Sequence, residues 1–250
     1  MDYNKLVTRK EIILDYNGLW DDDLDVIIKV LKDTQVLEEL RLKFNEITLS
    51  SGKFAEALAY NRTLRVLHLD ENNIGSLGAK QIANALRVNR TLHSLYLNHC
   101  KLGDEGGKHM ARALMENKSI RVLWLDQNGI GDAGAQSLAA SFVINQTLRD
   151  IRLNGNLIGK KGGNKLANAL KCNGSIVKIG LEKNNVIRSE QARIQEILKD
   201  EKRGGGSNND EMSPLERLEA FIETKDRELE KKDERIASLT ADLVAKGCEV

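Results

Sequence analysis

The chain carries almost no excess charge: 38 lysines and arginines stand against 37 acidic residues in 250, a formal net of +1. No global field therefore recruits nucleic acid or anionic lipid, and any electrostatic recognition has to come from local patterning. No run approaches the ~18 consecutive apolar residues that a membrane span needs, and the N-terminal MDYNKLVTRKEIIL lacks the apolar centre of a secretory signal. The expected address is cytoplasmic. Cysteine is scarce, and Cys100, Cys172 and Cys248 form an odd, widely spaced trio without CxxC, which favours reduced thiols over a disulfide framework or a zinc site. His68, His93, His99 and His109 include no pair at metal-ligand spacing, and no Ser, Cys or His has an evident base and orienting partner. No metal, no cofactor and no catalytic residue is expected, so the chain is read as non-enzymatic. Its 41% hydrophobic content excludes disorder throughout.

What is present is a repeat. LRVLHLDENNIG at Leu64 returns as LHSLYLNHCKLG at Leu92, IRVLWLDQNGIG at Ile120, LRDIRLNGNLIG at Leu148 and IVKIGLEKNNVI at Ile176, each copy 28 residues after the last. A constant period of this length describes a stack of supersecondary units, none of which buries its apolar face alone. Two earlier copies are visible, a clear one at Leu37 and a degenerate one in which Arg9 replaces the first leucine. The step from Leu37 to Leu64 is one residue short, and the deletion is expected in the loop and helix start. Asp21, Asp22 and Asp23 are expected to cap the first helix.

Within each copy the two leucines of LxLxxN alternate with variable residues, the period of a strand with one buried face. Glycine pairs such as Gly103 and Gly106, or Gly131 and Gly134, follow, where the chain turns and a helix approaches its neighbour. The helix then buries stripes such as Ile82, Ala83 and Leu86, or Leu138, Ala139 and Phe142. An asparagine ends each strand at Asn17, Asn45, Asn72, Asn128, Asn156 and Asn184, with Cys100 as its substitute in one copy. Asn61, Asn89, Asn117, Asn145 and Asn173 fall in Asn-x-Ser/Thr triplets, but their regular spacing argues for a structural asparagine closing each helix rather than for glycosylation.

The pattern LxxLxLxx(N/C)x(I/L)G followed by GxxxLAxxL resembles the ribonuclease-inhibitor-like class of leucine-rich repeats, which also includes the Ran GTPase activators and the repeat regions of NOD-type receptors. The resemblance implies an α/β solenoid, a horseshoe of about seven repeats over 1–203, with a parallel sheet on its concave side and helices on its convex side.

After the repeats, 204–212 reads as a flexible linker. In 213–250 the only proline, Pro214, follows Ser213 at a helix start. Leu215, Ile222, Leu229, Ile236 and Leu243 then recur every seven residues, with Leu218 and Leu239 on the intervening seam, as in a coiled coil. Lys225 and Lys232 interrupt the seam. Self-association, or pairing with a different coiled coil, is the expected role of this segment.

Aromatics make up 4% of the chain, yet Tyr96 and Trp124 fall on the stripe between the two leucines of LxL, which runs Ile13, Arg41, His68, Tyr96, Trp124, Arg152, Gly180. Asp70 and Asp126 belong to the next outward row, and Phe44 to the same side. Trp, Tyr and Arg dominate interface energetics, so Arg41, Phe44, His68, Asp70, Tyr96, Trp124, Asp126 and Arg152 are the candidate protein-binding residues. Neighbouring rings also pack on each other across strands without any ligand. The reading is a protein-binding scaffold, compatible with a cytoskeletal or ciliary assembly, that contacts neither nucleic acid nor the membrane interior. The alternative that the resemblance raises is a GTPase activator, against which stands a coiled coil where that family has a long acidic tail.

Overall fold

The computed structural model describes residues 2–200. Seven short strands, β1 Glu11–Ile13, β2 Glu39–Arg41, β3 Val66–His68, β4 Ser94–Tyr96, β5 Val122–Trp124, β6 Asp150–Arg152 and β7 Lys178–Gly180, pair in chain order as one parallel sheet. Eight helices accompany them: α1 Tyr3–Leu6, α2 Asp25–Asp33, α3 Lys53–Tyr60, α4 Gly75–Val88, α5 Gly103–Glu116, α6 Asp132–Ile144, α7 Lys160–Lys171 and α8 Arg188–Lys199. Each helix packs on the next in sequence, so strands and helices form two parallel files with the core between them. The linker and the seam residues Leu215, Leu218, Ile222, Leu229, Ile236, Leu239 and Leu243 lie outside the described residues.

The register follows from the leucines. Ile12, Leu40, Leu67, Leu95, Leu123, Ile151 and Ile179 stand side by side as successive rungs, and all are buried. The helices supply the opposite wall, with Ile82, Met110, Leu138, Phe142 and Leu166 at 0% exposure. Burying side chains of this size stabilises by about 1.5–3 kcal/mol each, and in a stack every interior repeat does so against two neighbours. The short step falls at the start of α3, where Leu49 and Gly52 take left-handed conformations with φ of 56° and 75° and the helix shrinks to 8 residues.

Two asparagine ladders satisfy the turns. At the strand ends, Asn128 Oδ1 accepts from the Cys100 and Leu102 N–H groups of the preceding repeat at 2.9 and 3.4 Å, while its Nδ2 donates to Leu97 O at 2.7 Å. Asn45, Asn72, Asn156 and Asn184 repeat the arrangement. Cys100 takes the position through an Sγ contact to Leu69 O at 3.2 Å, and burial pushes its thiol up to about 12. At the helix ends, the Nδ2 groups of Asn61, Asn89, Asn117, Asn145 and Asn173 donate to carbonyls of the preceding helix at 2.6–2.8 Å. These amides are buried and engaged.

The first acidic cluster behaves differently from the expected helix cap. Asp21 turns away from its own helix, and its Oδ1 accepts the Thr48 and Leu49 N–H groups of the next repeat at 2.8 and 3.0 Å. Only Asp23 serves the local turn, accepting Trp20 N–H at 2.8 Å. Asp104 and Asp132 also reach the following repeat. The backbone N–H groups at the start of each next helix are the unsatisfied donors nearest to them in the stack, and such donors draw in a carboxylate.

Candidate functional site

Because side chains alternate along a strand, the residues flanking each buried leucine point to the side of the sheet away from the core. The central row is Ile13, Arg41, His68, Tyr96, Trp124, Arg152 and Gly180, aligned rung by rung. His68 stacks on Tyr96 with centroids 4.2 Å apart and planes at 4°, Tyr96 meets Trp124 edge-on at 4.6 Å, and the Arg152 guanidinium lies 3.5 Å from the Trp124 ring centre. Ring pairs of this kind contribute roughly 0.5–1.5 kcal/mol beyond their buried area. All four side chains keep partial exposure. Among the described residues Arg152 makes no hydrogen bond or ion pair, so its five N–H donors are held flat and unused.

A second row, absent from the expected site, runs Glu11, Glu39, Val66, Ser94, Val122, Asp150 and Lys178. It lies immediately before each inward leucine, a position that looks like spacer in the sequence. Glu39 approaches His68 Nε2 at 3.3 Å and Asp150 faces Lys178 at 3.6 Å. Burial raises the Tyr96 phenol above its ordinary value, and the carboxylates of Asp70, Asp150 and Glu39 add to the shift against a hydrogen bond from Ser94.

The third row, Asp15, Lys43, Asp70, Asn98, Asp126, Asn154 and Glu182, has a structural duty. Asp15, Asp70, Asn98, Asp126 and Asn154 each accept, through one side-chain oxygen, the backbone N–H of the equivalent residue in the next repeat, at 2.6–3.2 Å. Asp70 is 6% exposed. Burial alone would push its carboxyl up, but His68, Lys43 and the Asn98 N–H outweigh burial and hold it below the ordinary carboxylate range. Lys43 Nζ lies 3.5 Å and His68 Nδ1 3.7 Å from Asp70 Oδ2. His68 Nδ1, Asp70 Oδ2, Trp124 Nε1 and Asp150 Oδ1 are buried without a hydrogen-bond partner among the described residues.

The structure thus brings Arg41, His68, Tyr96, Trp124 and Arg152 into one row and binds Asp70 and Asp126 into the ladder beside it. Phe44 stands elsewhere. It lies one residue beyond the third row, with φ of 55°, and stacks on Tyr16, whose φ is 58°, at 4.2 Å. Ile13 and Trp20 are also more than half exposed, so the first two repeats present several exposed apolar side chains. The left-handed turn that carries the two rings cannot be read from residue type, since bulky side chains seldom adopt it. Among the described residues no group of three or more His, Cys, Asp or Glu side chains is placed to hold a metal ion, and no helix there is long and apolar enough to cross a membrane.

Three comparisons bear on this geometry. Residues 60–83, 88–111, 116–139 and 145–167 match the family model described as Leucine Rich repeat. Comparison with curated proteins gives no match. Similar solved structures include leiomodin-1 actin-binding site 2, at 20% identity and a TM-score of 0.45 over 65% of this chain and 82% of that one. The tropomodulin C-terminal domain of Caenorhabditis elegans aligns at 14% identity and a TM-score of 0.45 over 62% of this chain and 97% of that one. A pollen receptor kinase 3 aligns at 16% identity and a TM-score of 0.44 over 72% of this chain and 76% of that one. With four family matches falling on consecutive units of one parallel, helix-flanked sheet, the chain carries a leucine-rich-repeat module.

Proposed function

We propose that this module is a non-catalytic scaffold that grips a protein partner on its open strand face. The observation that carries the reading is Arg152: its guanidinium is stacked on Trp124 at 3.5 Å yet has no hydrogen-bond or ion-pair partner among the described residues. A stack of rings alone would be accounted for by sheet stability. An oriented guanidinium with idle donors has a further use, because it meets a carboxylate or carbonyl of a partner with little loss of freedom. Arg41 is different, since Asp15 already holds it at 2.9 Å. The partner's main anchors are therefore Tyr96, Trp124 and Arg152, with His68 completing the stack.

On this reading the repeats are of the 28-residue, ribonuclease-inhibitor-like subtype, and 213–250 is a coiled coil that dimerises the scaffold or docks it. Two binding elements on one chain raise effective concentration at an assembly, which suits a cytoskeletal or ciliary setting. Affinity capture from a cell lysate with wild type beside Tyr96→Ala/Trp124→Ala and Arg152→Gln tests the face. Loss of the same prey from both variants, with circular dichroism unchanged, supports it; retention by both refutes it. The tail is tested by sedimentation of the full chain beside a version ending at Arg203, where equal monomeric masses would remove the self-association.

A further inference from the structure

The near-neutral chain hides one strongly charged edge. Residues 61–65, 89–93, 117–121 and 145–149, NRTLR, NRTLH, NKSIR and NQTLR, connect the helix ends to the strands and contain no acid. Arg62, Arg90 and Lys118 directly follow helix C-termini, where a cation offsets the helix dipole. That account does not extend to the second set, Arg65, His93, Arg121 and Arg149. These are pinned in a row by the backbone: His93 N–H donates to Arg65 O, Arg121 N–H to His93 O and Arg149 N–H to Arg121 O, each at 2.8 Å. Like charges on neighbouring rungs destabilise a sheet, so stability gives no reason for the row.

Its charge is also unspent. Among the described residues Arg65 and Arg121 make no side-chain hydrogen bond or ion pair, and the three arginines are exposed. Arg149 donates only to the Ser175 carbonyl, at 2.8 Å. Acids at adjoining positions are engaged elsewhere, Glu116 with Arg87 at 2.9 Å and Asp150 with Lys178 at 3.6 Å. Glu38 bounds the row on one side and Val177 on the other.

We infer that this edge docks an acidic α-helix of a protein partner, with its carboxylates set along the row formed by Arg65, His93, Arg121 and Arg149. Neighbouring strands lie about 4.7–4.9 Å apart, and a helix that shows one carboxylate per turn repeats about every 5.4 Å. The difference accumulates to about 2 Å over four rungs, within the reach of flexible arginine side chains. An extended peptide repeats its side chains on one face only about every 6.6 Å and drifts out of step sooner. A single nucleic acid strand would call for aromatic platforms between the cations, and this row offers none but His93. The surface differs from the open face and uses none of its residues.

The test is fluorescence anisotropy on the full chain, with a labelled alanine-based helical peptide bearing one glutamate per turn on a single face, at alternating three- and four-residue spacing. A scrambled isomer of that peptide, a single-stranded oligonucleotide and vesicles containing phosphatidylserine are run beside it. The patterned peptide is expected to bind more tightly than its isomer and to weaken with salt. Arg65→Gln/Arg121→Gln/Arg149→Gln is expected to lose at least about tenfold in affinity, whereas Tyr96→Ala/Trp124→Ala binds as wild type. Because the three arginines are exposed, the triple variant keeps its circular dichroism spectrum. Undiminished binding by the triple variant overturns the inference. So does equal affinity for the scrambled isomer, or binding of the oligonucleotide or the vesicles where the peptide fails.

Discussion

Asp104 caps a helix that belongs to the repeat after its own, and Gly134 is the residue that lets it in. Asp104 Oδ1 accepts the Gly134 N–H at 2.8 Å, and a β-carbon on Gly134 would stand 2.9 Å from that oxygen and 2.7 Å from Ile130 Cγ2. The same oxygen also accepts Gly131 N–H at 2.8 Å. Asp132 binds Gly159 and Gly162 in the same way. In these two pairs the second glycine is thus explained by a carboxylate a whole repeat away, whereas a β-carbon on Gly106 would meet Leu102 instead.

Asp104→Ala is expected to cost about 1–2 kcal/mol, the worth of a good helix cap, read as a lower urea midpoint with an unchanged slope. Gly134→Ala should cost more, because it pushes both Ile130 and the cap aside. If Asp104→Ala leaves the midpoint unmoved, the bridge between repeats carries no stability.

The asparagine ladder predicts a gain as well as a loss. Asn128→Ala strips buried acceptors and donors from four backbone groups and is expected to cost about 3 kcal/mol or more, since buried groups left unpaired cost about 1–3 kcal/mol each. Cys100→Asn restores the residue used by neighbouring copies and should stabilise by about 1 kcal/mol. A thiol pushed up to about 12 by burial should also resist alkylation at pH 8 in a Cys172→Ser/Cys248→Ser background, and react only as the chain unfolds. Rapid labelling of the native protein would contradict that placement.

The repeat itself was legible because period, leucine alternation and glycine spacing all report the same thing, namely which face of each unit meets its neighbours. The ladder of Asp70, Asn98, Asp126 and Asn154 was not legible as structure. Short polar residues on an outward strand position look like surface, and only their shared ability to accept a backbone N–H distinguishes them. Lys43 interrupts the series, which obscured it further. The basic edge was hidden by the near equality of 38 and 37 charges, because opposite signs on different edges cancel in the total without meeting in space.

The ladder has a pH consequence. The Asp70 carboxyl is held below its ordinary value in the folded chain, so the folded state binds its proton less readily than the unfolded state does. Its stabilisation is complete above the unfolded value and is lost as pH falls through the folded value, in the acid range below about pH 4. Asp70→Asn keeps an oxygen for the Asn98 N–H, as Asn98 and Asn154 do in their own repeats, but does not titrate. Its thermal midpoint should therefore sit near that of wild type at the lowest pH, fall behind as pH rises toward about 4, and trail by a constant amount above that. Parallel curves for the two proteins from pH 2 to 7 would show that Asp70 contributes no such linkage.

Tyr96 and Trp124 have to be asked separately what they do for the fold and what they do for a partner. A double-mutant cycle in urea with Tyr96→Phe, Trp124→Phe and both together measures the first. Tyr96→Phe keeps the ring edge against Trp124, whereas Trp124→Phe shortens the platform beneath Arg152, so the expected coupling in stability is small, below about 0.5 kcal/mol. Arg152→Lys in the same background removes the planar guanidinium but keeps the charge, and should leave the unfolding free energy within about 0.5 kcal/mol of wild type, because the head group is partly exposed and its stack is worth little alone. Partner capture should respond in the opposite proportion, with Arg152→Lys losing prey that Tyr96→Phe still holds, since the guanidinium has donors unused by the fold. If Arg152→Lys instead unfolds the chain at markedly lower urea while prey is retained, the guanidinium serves the sheet and the open face has no claim to the partner.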